Sequence, residues 1–259
     1  MQLALADLVV WAERVAWPLG RIGGLMLTAP VLGGRNVPAR IRAAFALLLA
    51  LLLAPTLPLQ SALPSALAPA GLATMAQQVL IGAAIGFALR LVLEAVAFGG
   101  HLVALTMGLS YGEVVDPQSG TSEPMLSQFY LLLATLLFLA MDGHLALIAL
   151  LGDSFRTLPV GVAFGADALH ALVAFGARLF EGALAVALPA VAAMLVVNMG
   201  FGVMSRAAPS LNLFAVGFPV TLSLGFVVVW LSLGGLQAAV ASLTDAAFEL
   251  LRALVAARP

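Results

Sequence analysis

Apolar residues fill this chain in long runs, and the polar positions that interrupt them set out its elements. The 47 residues from 43 to 89, between Arg42 and Arg90, hold no ionisable side chain, and neither do the 38 from 207 to 244, between Arg206 and Asp245. A bilayer core takes about 20 apolar residues per helical crossing, so each run suffices for one or two crossings. The pattern predicts six apolar helical stretches, at roughly 15–32, 43–59, 72–111, 125–151, 171–204 and 211–236. Pro55, Pro58, Pro64 and Pro69 divide the first uncharged run into a helix, an uncharged loop and the next helix. The stretch 72–111 exceeds one straight crossing and is expected as either a bent long helix or a hairpin, with Arg90 and Glu94 in its middle.

Pro18, Pro30, Pro189 and Pro219 fall within or beside apolar stretches and predict helix breaks there. At membrane depth such breaks are tolerated only where protein or a water-filled cavity covers the freed backbone. Several in one chain point to a protein buried among partners. From about Gln237 the spacing of Leu243, Ala247, Leu250, Leu251 and Leu254 predicts an amphipathic helical tail, laid on a membrane surface or against a partner. The chain is expected as one membrane domain over 1–259, with 237–259 as that tail.

Composition strengthens the membrane reading. Hydrophobic residues make up 63% and charged residues 9%, against roughly 25% charged in soluble domains. Net charge is −1, all eleven basic residues are Arg, and no basic patch suggests nucleic-acid binding. With no Cys, disulfides and thiolate metal sites are excluded. The N-terminus lacks a basic leader, and Asp7, Glu13 and Arg14 interrupt its apolar residues, so an uncleaved helix is expected to insert. Arg35, Arg40 and Arg42 place the first loop in the cytoplasm, with the N-terminus outside; Arg252 and Arg258 favour a cytoplasmic C-terminus.

Gly108-Leu109-Ser110-Tyr111-Gly112 matches the G-x-S-x-G nucleophile elbow. That elbow requires a strand before its serine, whereas an apolar helix precedes Ser110, so a hydrolase reading is disfavoured. Arg90 with Glu94, and Arg178 with Glu181, share helix faces. A proton or ion route would need further acceptors along those faces, and none is visible. Ion pairs that orient helices or subunits are the better reading. Gly20/Gly24, Gly82/Gly86 and Gly161/Gly165 have the spacing that lets helix backbones approach closely. His101, His144 and His170 lack metal-ligand spacing, and Gln77, Gln78, Gln128, Asn198 and Asn212 are expected to bridge helices. The acidic, turn-forming loop 113–124 reads on its own chemistry either as a solvent-exposed connector or, with Gly108, Gly112 and the Ser110-Tyr111 step before it, as a loop that packs closely into something.

Five segments in order carry a resemblance: RIGGLMLTAPVLGGRNVPARIR (21–42), LSYGEVVDPQSG (109–120), LSQFYLLLATLLFLAMDGHLALI (126–148), SFRTLPVG (154–161) and LNLFAVGFPVTL (211–222). Together they resemble the FliR-type subunit of the flagellar type III export gate, also known from virulence injectisomes. Two positions depart from its pattern: Asp142 stands where Asn is expected, and Leu211 where Met is common.

The resemblance implies an all-α integral membrane protein of bent, Pro/Gly-broken helical hairpins, assembling helically with partner subunits. It implies a non-catalytic channel role without a cofactor, in the bacterial inner membrane at the flagellar basal body. The implied partners are P-type and Q-type gate subunits, the A-type and B-type export proteins, and the unfolded flagellar proteins that pass. It further implies a pore plug formed by Leu109, Ser110, Tyr111, Gly112, Glu113, Val114, Val115 and Asp116, with Pro117 shaping the return. An injectisome subunit and a secondary transporter with its site near Pro189 or Pro219 are the alternatives. The transporter reading lacks the inverted repeats common in that class.

Overall fold

The computed structural model describes residues 5–31, 33–34, 37–57, 68–109, 125–207 and 213–256. Among these residues the regular structure is helical: α1 (Leu5–Thr28), α2 (Ala39–Leu53), a 3-10 turn (Ala54–Thr56), α3 (Pro69–Thr106), α4 (Met125–Ala140), α5 (Gly143–Thr157), α6 (Ala166–Phe175), α7 (Ala177–Ala207) and α8 (Leu213–Ala256). Four segments are long and apolar enough to cross a membrane, namely Ala39–Thr56, Pro69–Thr106, Ala166–Ala207 and Gly217–Ala256. The interrupted pair α4 and α5 can count as a fifth. The protein is an all-α integral membrane protein.

The stretch expected as a bent helix or a hairpin is one continuous helix, α3. It is apolar on every side, the signature of a helix enclosed by protein. Indeed 67% of its apolar window is buried, against 17% for Ala39–Thr56 and 22% for each of the other two. Those three present most of their apolar side chains outward, Trp230, Val196 and Met199 among the most exposed.

Three of the four prolines do not break helices. Pro18, Pro189 and Pro219 lie inside α1, α7 and α8, each of which continues past them. Each removes one backbone donor and leaves one carbonyl free, a defect that apolar helices accommodate when neighbours are close. Only Pro30 follows a helix end, where Val31 takes a left-handed φ of 66°. The stretch 125–151 is instead divided at Met141-Asp142, where Asp142 adopts φ 57° and ψ 23°. Asp and Asn are the side chains that best tolerate this left-handed conformation, so the Asp-for-Asn departure at 142 preserves the backbone requirement of the step.

The chain divides into two compact units. The first comprises residues 1–91, 142–176 and 245–259. In it α1 lies directly on α3, and two of the three Gly pairs foreseen for close packing, Gly20/Gly24 and Gly82/Gly86, lie at that contact. A Cβ added at Gly24 would overlap the Val79 carbonyl, and one at Gly82 the Arg21 carbonyl. At Gly86 it would stand 2.6 Å from the Ala29 nitrogen. Thr28 Oγ1 donates to the Ala83 carbonyl at 2.8 Å, tying the backbones where they approach. Arg14 of α1 reaches the end of α2, its Nε donating to the Ala54 carbonyl at 3.0 Å. A cation there complements the carbonyl end of the helix. Gly161 and Gly165 do not pack helices: Gly161 takes a φ of 92° in the turn after α5, and Gly165 precedes α6.

The amphipathic pattern near the C-terminus belongs to α8, which runs on without a break to Ala256. Ala247, Phe248, Leu251, Leu254 and Val255 are buried within the chain.

The second unit comprises residues 92–141 and 177–244. Here Gly99 and Gly100 of α3 admit two neighbours. A Cβ at Gly100 would meet Tyr130 of α4 at 2.9 Å, and one at Gly99 would meet Val186 of α7 at 3.0 Å. Ser127 Oγ donates to the Ala97 carbonyl at 2.9 Å, and the buried Tyr130 hydroxyl lies 3.3 Å from Ser232 Oγ of α8. Asn198 Nδ2 donates to the Thr106 carbonyl at 3.2 Å, bridging α7 to α3.

Candidate functional site

Two regions carry the polar chemistry of this apolar chain: a buried arginine cluster in the first unit and the loop that follows α3. In the first, Arg21 of α1 is fully buried, with 0% of its surface exposed. Its Nε and Nη2 donate to Gln78 Oε1 at 2.9 and 2.6 Å. Nη1 donates to Ser154 Oγ at 2.9 Å, and Nη2 also to the Leu158 carbonyl at 2.9 Å. The guanidinium carbon sits 4.2 Å from the centroid of the Phe155 ring. Three segments converge on one cation: α1, α3, and the end of α5 with the residue after it.

A buried charge is costly unless paired and hydrogen-bonded. Among the described residues no carboxylate pairs with Arg21; neutral acceptors and a π face spread its charge instead. Gln78 is consumed as an acceptor, and its Nε2 has no hydrogen-bond partner among the described residues. The Ser154 hydroxyl donates a hydrogen bond to the Leu151 carbonyl at 2.7 Å, which leaves its oxygen free to accept from Arg21.

Sequence reasoning passes over Arg21. The available signals are an arginine inside an apolar stretch, beside Gly20, Gly23 and Gly24, and a glutamine within an uncharged run. Nothing in one sequence joins those signals to Ser154, 133 residues away. Gln78 does bridge helices, as read from sequence, through the arginine.

The second region begins where α3 ends. Gly108 takes a φ of 77°, a conformation suited to glycine, and its amide donates to the Leu105 carbonyl at 3.2 Å. Leu109 is the last described residue before the loop, and α4 resumes at Met125. Ser110, Tyr111, Gly112, Glu113, Val114, Val115, Asp116 and Pro117 lie outside the described residues.

The two sets of charges lie on partly open helix surfaces. Arg178 Nη1 donates to Glu181 Oε2 at 2.9 Å, with 56% and 61% of the two side chains exposed. Arg90 is exposed and Glu94 half-buried on α3, and each has an interaction partner. Neither pair is sealed inside the chain. His101 stacks on Phe98 with ring centroids 6.1 Å apart, His144 has a buried Nδ1 with no hydrogen-bond partner among the described residues, and His170 is exposed.

The chain matches the family of bacterial export proteins, family 1, over residues 12–247. It is 38% identical over 228 residues to the flagellar biosynthetic protein FliR of Pectobacterium carotovorum subsp. carotovorum, spanning 88% of this chain and 87% of that protein. With the FliR of Escherichia coli K12 it shares 38% over 226 residues, 87% of this chain and 86% of its relative. With that of Bacillus subtilis it shares 28% over 240 residues, 91% and 92% of the two chains. The match takes in both units, the Arg21 segment and the loop after α3, and the chain belongs to the FliR family of bacterial export proteins.

Proposed function

We propose that this chain is a structural subunit of the flagellar type III protein export gate. It joins P-type and Q-type membrane subunits in a helical assembly, and together they form the pore through which unfolded flagellar proteins leave the cytoplasm. The assembly sits in the bacterial inner membrane at the flagellar basal body and works with the A-type and B-type export proteins. The chain acts by shape and by covering the pore, without chemistry of its own.

The observation that carries this reading is the match to flagellar FliR proteins over nearly the whole chain at up to 38% identity. The uncovered apolar surface supports it. With only 22% of the apolar windows of Ala166–Ala207 and Gly217–Ala256 buried, most of both helices is available to lipid or to neighbouring membrane helices. In this reading the loop from Leu109 to Pro117 is the pore plug, with Leu109, Tyr111, Val114 and Val115 sealing by contact. The Arg178–Glu181 pair and the charges Arg90 and Glu94 orient helices at subunit contacts.

Purification of the tagged chain from its native membrane in mild detergent, followed by mass spectrometry of the accompanying chains, tests the proposal. Recovery of the two smaller gate subunits in excess is the expected result. A stable solitary monomer would overturn it.

A further inference from the structure

Residues 142–176 join the first unit as an insertion: the chain before them, 92–141, and the chain after them, 177–244, belong to the second. Both ends of the insertion are interruptions of helix. Asp142 takes its left-handed φ of 57° where it begins, and Gly176 parts α6 from α7 where it ends. Between them lie α5, the turn at Gly161 and α6. α5 buries Leu147, Leu150, Leu151 and Phe155, whereas α6 buries Ala168 and Phe175 and leaves Leu169 and Val173 exposed. A short element with so few buried contacts opens at a cost below that of global unfolding.

The contacts of Arg21 divide along the edge of this insertion. Nε and Nη2 donate to Gln78 of α3, outside it. Ser154 Oγ, the Leu158 carbonyl and the Phe155 ring all belong to it. If the insertion lifts, Arg21 keeps the Gln78 fork, two of its four hydrogen bonds. The insertion keeps its own bonds, Ser154 hydroxyl to Leu151 carbonyl and Leu158 amide to Ser154 carbonyl. Gln78 Nε2, buried with no hydrogen-bond partner among the described residues, is a cost of the closed arrangement that water admitted by opening would relieve. The apolar faces resist little in a membrane, because lipid tails are as apolar as leucine and replace their contacts. The polar contacts of Arg21 therefore decide whether the insertion stays seated. We propose that residues 142–176 form a strap that opens from α1 and α3 as one piece, and that Arg21 is the latch that holds it closed through Ser154 and Leu158. The proposal rests on the membrane location alone and is independent of the export-gate reading.

The chain contains no cysteine, so a single introduced one reports the opening of its own surroundings. Two buried alanines serve, Ala168 of α6 in the strap and Ala88 of α3 outside it. Ala168→Cys and Ala88→Cys are made separately in the full-length chain, purified in mild detergent with whatever chains accompany it, and their rates of reaction with N-ethylmaleimide are measured. Ser154→Ala removes one hydrogen bond to the guanidinium. It should speed labelling at 168 about tenfold or more and leave labelling at 88 unchanged, although 154 and 168 lie on different helices. The same acceleration at both positions overturns the strap, because the chain then loosens as a whole. No acceleration at 168 overturns the latch. Should Ser154→Ala fail to fold, amide hydrogen exchange of the unmodified chain decides. Amides of α5 and α6 that exchange together, and faster than those of α3 before Leu91, support the strap. Amides of α5 as slow as those of α3 overturn it.

Discussion

Arg21 Nε and Nη2 converge on a single atom, Gln78 Oε1, at 2.9 and 2.6 Å. This forked contact joins α1 to α3 where both side chains are fully buried. It lies beside the glycines that let the two backbones meet, since Gly82 sits against the Arg21 carbonyl itself. Close approach and buried charge therefore depend on each other. Without the glycines α1 could not lie near enough for Arg21 to reach Gln78, and without Gln78 the guanidinium would be enclosed with too few acceptors.

Gln78→Ala is expected to destabilise the chain by about 1.5–3 kcal/mol, the range for a hydrogen bond to a charged group. Gln78→Glu should match or exceed the unmodified chain, because a carboxylate accepts the same fork and has no idle Nε2 donor. Gln78→Leu should behave like Gln78→Ala, although it fills the space. Thermal unfolding in mild detergent distinguishes these outcomes. Equal stability of Gln78→Leu and the unmodified chain would show that the fork contributes nothing.

Glycines within α1 and α3 should respond in opposite senses to the same substitution. A Cβ at Gly24 or Gly82 overlaps facing backbone, whereas at Gly23 no atom of the described residues lies within 4 Å. Gly82→Ala is expected to cost about 1–3 kcal/mol through forced separation of the helices. Gly23→Ala should gain up to about 1 kcal/mol from helix propensity. Unfolding temperatures of the two variants, measured side by side, check the contrast. Similar shifts in both would mean that backbone contact does not hold α1 on α3.

The helical, membrane-embedded character of the chain is legible in the sequence because uncharged runs of 47 and 38 residues admit little else. Close packing at Gly20/Gly24 and Gly82/Gly86 is legible for the same local reason, a repeat of four on a helix. The breaks are not. Proline reads locally as a breaker, yet α1, α7 and α8 absorb Pro18, Pro189 and Pro219, while the division of 125–151 rests on the backbone of Asp142. Arg21 is illegible for a different reason. Its acceptors lie 57 and 133 residues away, and only the fold brings them to one point.

Arg178 and Glu181 separate a solvated pair from one covered by lipid or a neighbouring helix. Exposed pairs in water contribute about 0–1 kcal/mol, so in water either single neutralisation would be nearly silent. If the exposed surface of α7 is covered in the membrane, Glu181→Gln strands Arg178 and should lower assembly more than the double variant R178Q/E181Q does. The reversed pair R178E/E181R should restore it. Yield of the co-purified complex across this cycle isolates the pairwise contribution. Additive effects would show that the two charges act independently.

The loop from Leu109 to Pro117 gives the last prediction. As a plug it works by filling space, so removal of residues 109–116 should raise ion leakage through the assembled complex, measured as conductance in planar bilayers or as growth sensitivity to small permeants. Gly108 already turns the chain out of α3 with a φ of 77°, so a shortened loop starts from an intact helix end. Ser110→Ala separates this role from chemistry. A hydroxyl acting as nucleophile cannot be replaced, whereas a side chain that contributes only bulk loses one oxygen and should leave conductance and export unchanged. A tight, non-leaking complex lacking 109–116 would remove the plug reading, and loss of all activity in Ser110→Ala would replace it with catalysis.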